Sequence, residues 1–231
     1  MDLKIIRIIS FLFLFSIFVY LMIAQSFISV LWFCKISLIV LLFAIIFDSD
    51  YLYSSVLVSQ TLVAIIFFIE IFSILFFKYS LFNFSHLYTT LADWLISIFY
   101  HILVAGVALF ILLKKRIFIK DAWFFSVCSF LFVSFVIYFG YYTNYITYTD
   151  FFINCAGYCP DFGIITPFVS FFYSLLPIPN FIINTILVGI IFYFLTFFYS
   201  WLLNRTKRIS KKKAIKKNEI YNTNKKISKR K

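Results

Sequence analysis

The sequence lacks the short motifs that carry common enzyme chemistry. It contains no phosphate-binding Walker loop, no dinucleotide-binding glycine fingerprint, no nucleophile elbow and no residue spacing typical of a metal site. Charged residues are also scarce, at 13% of 231 residues. Only five glycines and four prolines occur, and these are the residues that most often interrupt a helix. We therefore expect neither a cofactor nor a metal ion.

Apolar side chains, in contrast, are abundant. Hydrophobic residues make up 64% of the chain, aromatic residues 24%, and the mean hydropathy is +1.01. Soluble domains are only about half apolar, so this composition indicates a membrane protein. Apolar segments of about 20 residues, the length that crosses a hydrocarbon core, lie at 6–25, 28–47, 56–77, 93–113, 122–142 and 181–203. We expect an all-α, polytopic transmembrane helical bundle of about six spans over residues 1–204.

The first apolar segment has a second interpretation. Residues 1–26 combine a short charged start, an apolar run and Ala24-Gln25-Ser26, as a cleaved secretory signal would. Asp2 and the length of the run favour an uncleaved anchor instead. Cleavage would leave five spans with the same orientation downstream.

The formal net charge of +12 belongs to the C-terminal tail. Thirteen of the 21 basic residues lie in residues 205–231, together with one acid, Glu219. We expect this tail to be disordered and to contact anionic lipid headgroups, at roughly 1 kcal/mol per basic residue near the surface. Alternatively, the tail is solvated and only fixes the orientation of the chain in the membrane, or it binds a protein partner. Nucleic acid is not favoured as a partner, because the body of the chain carries little charge.

The remaining basic residues predict the orientation, since cytoplasmic loops collect Lys and Arg. With six spans, Lys4 and Arg7, the segment 114–120 and the tail lie on one side, so both termini are expected in the cytoplasm. The loop at 143–180 has no Lys or Arg and is expected on the outer side. The chain would then lie in the plasma membrane of a prokaryote or in an endomembrane of a eukaryote, surrounded by bilayer, alone or with a protein partner or further copies of itself.

Three ionisable residues stand out because they lie well inside the predicted spans, away from the span ends. Counted from the outer span ends at 1.5 Å per residue, Lys35 and Glu70 lie about 10 Å deep and His101 about 12 Å deep, so we expect them in one layer. One interpretation is a structural ion pair of Lys35 with Glu70, with His101 hydrogen-bonded beside it. The other is a pocket open to the outer face, in which Glu70 and His101 are catalytic acid–base groups and Lys35 binds substrate.

The outer loop contains the most unusual stretch of the chain, INCAGYCPDFGIITP at 153–167. Cys155 and Cys159 can form a disulfide if the backbone turns, whereas their spacing does not fit a redox or zinc motif. Asn154 and Asp161 are candidate binding residues at the mouth of the pocket. The loop is therefore predicted to be a lid above the charged layer.

Asp48 and Asp50 form a second polar feature, at the cytoplasmic end of the second span. Two acids this close can bind a cation, but no third ligand accompanies them. The pattern favours a solvated helix end.

Several short features also follow one another from Trp32 onward. A span opens with Trp32-Phe33-Cys34-x-x-Ser37, and Glu70 is an acid late in the next span. Tyr100-His101 leads into Lys114-Lys115-Arg116, and Ile153-Asn154 lies in the outer loop. On these features the chain resembles an uncharacterised family of multi-pass bacterial integral membrane proteins.

The resemblance implies a shared helical bundle without implying an activity. It favours five residues for testing: Trp32, as a binding residue, with Cys34, Glu70, His101 and Asn154. The chain departs from the family's pattern at Lys35, where an acidic or polar residue is expected. It also departs at Cys155-Ala-Gly-Tyr-Cys159, which replaces an aromatic loop.

These observations leave three hypotheses of function. The first is an integral membrane protein that serves as a structural or assembly partner. The second is an enzyme that acts on a lipid or lipid-linked substrate from the outer leaflet, with Glu70 and His101 transferring protons. The third is a small proton-coupled transporter with Glu70 as its proton site, against which the sequence shows no inverted repeat and little helix breaking.

Overall fold

The computed structural model describes residues 2–24, 33–78, 91–142 and 182–205. All regular structure within these four stretches is α-helical, in six helices and no strand. The helices are α1 Leu3–Ala24, α2 Phe33–Phe47, α3 Asp50–Phe77, α4 Leu91–Lys115, α5 Ala122–Tyr142 and α6 Ile182–Arg205. The expected all-α helical bundle is confirmed.

Four of the described helices, α1, α3, α5 and α6, are long and apolar enough to cross a membrane. The longest, α3, has 28 residues and extends about 42 Å. The shortest, α2, has 15 residues, so it extends only about 22 Å. These lengths and compositions indicate a membrane-embedded protein. The number of six spans, the kind of membrane and the side on which the termini lie remain predictions.

The described bundle has an apolar outer surface, and buried polar side chains lie within its largely apolar core. On α3, Phe68, Phe72 and Phe76 are exposed, whereas Ser59 and Gln60 are buried. The other described helices show the same arrangement, with buried polar side chains on α2, α4, α5 and α6. This pattern suits a hydrocarbon environment, where polar groups have to find partners between helices.

The central helix is α3, which packs against α2, α4 and α5. Its neighbours α2 and α4 both run antiparallel to it, as two contacts show. Ser37 of α2 lies 3.3 Å from Ser59, and the α2–α3 turn joins the other ends of these helices, so α2 and α3 are antiparallel. Lys115, the last residue of α4, contacts Asp50, the first residue of α3, so α4 is antiparallel to α3 as well.

The sixth helix packs against α5 through a close approach at a glycine. A Cβ atom on Gly189 would lie 3.3 Å from the nearer methyl carbon of Val127. One turn further along, the rings of Trp123 and Tyr193 meet edge to face at 5.6 Å. Because residue numbers rise on α5 as they fall on α6, these two helices are antiparallel. Small residues at such crossings let helix backbones approach closely in membranes.

Ion pairs join three helices at one end of the bundle. Asp48 accepts from Arg7 of α1 at 2.9 Å and from Lys115 of α4 at 2.5 Å, and Asp50 accepts from Lys115 at 2.7 Å. Burial lowers the pKa of Lys115, but its hydrogen bonds to Asp48 and Asp50 outweigh this effect and the pKa lies above its ordinary value. We call these four residues and the α4–α5 connection, residues 116–121, the charged end.

Asp48 and Asp50 lie at a partly exposed helix end, as expected, but their carboxylates are also paired with cations on other helices. Asp48 adopts a left-handed conformation with φ 52°, and Ser49 caps α3 by accepting from the backbone N–H of Leu52. The helix consequently begins at Asp50, six residues before the predicted start of the span at residue 56. The tight turn aims both carboxylates at cations on neighbouring helices, which the local sequence did not reveal.

Replacing Asp48 with Asn tests the ion-pair junction. Asn tolerates the left-handed conformation and keeps the size of the side chain, but removes the charge that Arg7 and Lys115 share. We expect the free energy of unfolding to fall by about 1 kcal/mol, because partly exposed ion pairs contribute about 0.2–1 kcal/mol each. Denaturation by SDS in mixed micelles measures it. The matched control is Asp121→Asn, an exposed acid at the same end, and an equal loss in both variants would contradict the junction.

Replacing Gly189 with Val tests the contact between α5 and α6. The added methyl groups would meet Val127, and overpacking of this kind costs about 1–3 kcal/mol. Gly106 of α4 is the control, since a Cβ there would meet nothing within 4 Å. Gly106→Val should leave the free energy of unfolding unchanged or slightly raised, because Val has a higher helix propensity than Gly. Equal effects at both glycines would argue against a close crossing at Gly189.

Candidate functional site

The structure buries the three ionisable residues that the sequence placed well inside spans. Lys35 on α2, Glu70 on α3 and His101 on α4 are 6%, 0% and 2% exposed. Each of them interacts with other groups in the chain. They therefore belong to the interior of the bundle, as ionisable groups in membrane helices generally do. Their roles in binding or catalysis remain predictions.

His101 is held by a glutamine on the facing helix. Its Nδ1 lies 3.1 Å from Oε1 of Gln60, which is fully buried. This contact joins the imidazole of α4 to the carboxamide of α3. The ring of Tyr100 meets the imidazole edge-on at 4.9 Å. The sequence analysis missed Gln60, although an amide inside an apolar run was a signal that could have identified it.

Helix register places Lys35 and His101 at one level of the bundle. The contact between Ser37 and Ser59 sets α2 against α3, and the contact between Gln60 and His101 sets α4 against α3. Lys35 lies two residues from Ser37, which is about 3 Å along the helix. Both residues are thus level with the middle of α3.

Glu70 lies at a different level. It follows Gln60 by ten residues on the same helix, a separation of about 15 Å along the axis of α3. The prediction of a single layer is therefore wrong for Glu70, although it describes Lys35 and His101. The depth estimate failed because it measured each residue from the end of its own span, and by helix register these ends of α2, α3 and α4 are not level.

A group of serines connects α2, α3 and α5 closer to the charged end. The hydroxyls of Ser55 and Ser126 lie 2.8 Å apart, and Ser126 also donates to the backbone carbonyl of Ser55 at 2.9 Å. These two line a cavity of about 10 Å³ together with Ser37, Ser59 and Ser129. That volume suits a single water molecule. The serines thus hold helices together and leave no room for a substrate.

Several predicted site residues fall outside the described stretches. These are Trp32, Asn154 and Asp161, proposed for binding, and Cys155 and Cys159, proposed to form a disulfide. The outer-loop lid and residues 206–231 of the basic tail also lie there, so these expectations remain predictions. Within the described stretches, no three His, Cys, Asp or Glu side chains are grouped as metal ligands would be.

No protein-family model, no curated protein and no solved structure matches the chain. A general acid or base has to lie within about 2.6–3.2 Å of the atom that it serves, or one water away. Glu70 and His101 are too far apart along α3 to serve the same atom, so the two groups do not form one acid–base pair.

A double-mutant cycle tests the arrangement of Gln60, His101 and Glu70. Gln60→Leu and His101→Leu should be coupled by about 0.6 kcal/mol, the average for hydrogen bonds between membrane helices. Gln60→Leu and Glu70→Gln should be additive to within about 0.5 kcal/mol, as expected for distant sites. Free energies of unfolding in SDS measure both cycles. Strong coupling of Gln60 to Glu70 would contradict the separation of about 15 Å that helix register gives.

Proposed function

We propose that the protein is a multi-pass integral membrane protein that acts as a structural or assembly partner. The observation that carries this proposal is the use of its buried polar side chains in contacts between helices. Ser37 contacts Ser59, and Ser55 contacts Ser126. Gln60 contacts His101. These hydrogen bonds join α2, α4 and α5 to α3 and fix the helices relative to one another.

The position of the candidate catalytic groups supports the same proposal. Glu70 and His101 are buried on different helices and at different levels, about 15 Å apart along α3. The imidazole already has a hydrogen-bond partner within the bundle, Gln60. An interior built in this way stabilises one arrangement of helices, which is what a partner in a membrane assembly requires.

A lipid-active enzyme is the second candidate. Its support is the burial of an acid, Glu70, and an imidazole, His101, in apolar helices, because ionisable groups in such places often have functions. In this case the two groups would act at separate places. A proton-coupled transporter that uses Glu70 alone rests on the same burial.

The experiment compares a deletion strain with strains that carry the wild type, Glu70→Gln or His101→Leu. Three quantities are measured: the amount of the chain in membranes, the yield of a defined complex after cross-linking in intact membranes, and the lipid profile. We expect the deletion to leave the lipid profile unchanged. Both variants should reduce the complex in proportion to the amount of the chain, because they weaken helix packing.

Ile102→Leu is the matched control, since Ile102 lies beside His101 but is 53% exposed. It should behave as the wild type does. The proposal would be overturned if a lipid accumulates in the deletion strain, the wild-type protein removes it, and the His101→Leu protein, present in the same amount, does not. Proton uptake into vesicles of purified protein that Glu70→Gln abolishes would overturn it in favour of the transporter.

A further inference from the structure

A groove lies between α1 and α2 beside the charged end. Its volume is about 400 Å³, and it is open to the surroundings of the bundle. The residues that line it are Lys4, Arg7, Ile8, Phe11, Leu12, Ile45 and Ile46. Two cations and five apolar side chains thus share one surface.

The chemistry of the groove changes along its length. Lys4, Ile8 and Leu12 follow at intervals of four residues and therefore lie on one face of α1. Lys4 is at the mouth, in the first turn of the helix, and Leu12 lies about 12 Å further along the axis. Ile46 of α2 forms the facing wall. The groove is consequently basic where it opens at the charged end and apolar beyond it.

The mouth of the groove has an excess of positive charge. Arg7 is paired with Asp48, whereas no carboxylate in the described stretches lies within ion-pair distance of the Lys4 ammonium group. Asp2 instead accepts from the backbone N–H of Lys4 at 3.2 Å. The described residues at this end include seven basic and four acidic side chains. The basic ones are Lys4, Arg7, Lys114, Lys115, Arg116, Lys120 and Arg205, and the acidic ones are Asp2, Asp48, Asp50 and Asp121.

We propose that this groove binds one anionic phospholipid, with its phosphate group at Lys4 and Arg7 and one acyl chain along Ile8, Leu12 and Ile46. An anionic phospholipid has the same order of chemistry as the groove, a negative headgroup followed by an apolar chain. The proposal is independent of the assembly role and concerns a surface that Glu70 and His101 do not line.

Charge distinguishes this occupant from two others. The C-terminal tail is strongly basic, so the excess positive charge at the mouth repels it. A second copy of the chain would bring the same basic mouth to the contact, which is unfavourable for the same reason. A zwitterionic lipid fits the apolar part but compensates the excess charge less well than an anionic one.

Native mass spectrometry of the full chain in detergent, titrated with phosphatidylglycerol or phosphatidylcholine, tests the site. The wild type should bind one phosphatidylglycerol more tightly than phosphatidylcholine. Lys4→Gln should weaken phosphatidylglycerol binding about fivefold, the change expected for one basic residue near an anionic headgroup. Lys114→Gln is the control, an exposed cation at the same end that does not line the groove.

Filling the groove tests the acyl chain separately. Ile46→Trp should weaken binding of both lipids, whereas Ile102→Trp should not, although these two isoleucines are 54% and 53% exposed. Glycerol phosphate has the chemistry of the headgroup without the acyl chain, and it should not compete with phosphatidylglycerol for binding.

Three outcomes would overturn the proposal. In the first, Lys4→Gln keeps the preference for phosphatidylglycerol, and changing Lys211, Lys212 and Lys213 to Gln removes that preference. This result would assign the lipid to the tail. Another is equal weakening by Ile46→Trp and Ile102→Trp, which would indicate a general effect on the lipid surface. The third is a concentration-dependent dimer that Ile46→Trp abolishes, which would assign the groove to a second copy.

Discussion

The absence of water in the hydrocarbon core determines how this bundle is arranged. A polar side chain that faces lipid finds no water to bond, and an unsatisfied polar group there costs several kcal/mol. The polar residues of α3 therefore point toward neighbouring helices, and Ser55, Ser59 and Gln60 each contact a different one of them. Because α3 carries the largest share of these groups, it takes the central position and sets the register of α2, α4 and α5. Apolar packing alone would allow these helices to slide, since lipid and neighbouring side chains are similarly apolar.

The charged end uses a different kind of polar contact. Asp48 is 43% exposed while Lys115 is only 13% exposed, so the junction lies where the bundle meets its aqueous surroundings. Ionised groups are tolerated there at much lower cost than in the core, where the contacts identified between helices involve mainly neutral groups such as serine hydroxyls and carboxamides. The bundle thus joins its helices by hydrogen bonds in the interior and by ion pairs at one end. Arg7 belongs to both the junction and the α1–α2 groove, so the pairing of Asp48 and the electrostatics of the groove depend on the same guanidinium group.

Features that follow from the composition of a single segment could be predicted from the sequence. The helices lie where the long apolar runs are, because length and hydropathy are sufficient to identify a membrane helix. Burial of Lys35, Glu70 and His101 could also be predicted, because charged groups are excluded from lipid. The start of α3 at Asp50 could not, since it depends on a left-handed residue and a serine cap. The relative depths of Glu70 and His101 could not be predicted either, because they depend on how far each helix extends past its neighbour.

The separation of Glu70 from His101 limits the chemistry that the interior can perform. A proton passing between them would have to cross about 15 Å along α3, and the nearest identified group to His101 is the carboxamide of Gln60, which is neither acid nor base. His101 is thus part of the packed centre, where its contact with Gln60 holds α4 against α3. Glu70 lies seven residues before the end of α3 at Phe77, about 10 Å along the axis, so it is closer to that helix end than to the imidazole. Any chemistry of the carboxylate therefore has to involve groups near that end of the helix, and a mechanism that requires both residues at one substrate atom is excluded by the helix register.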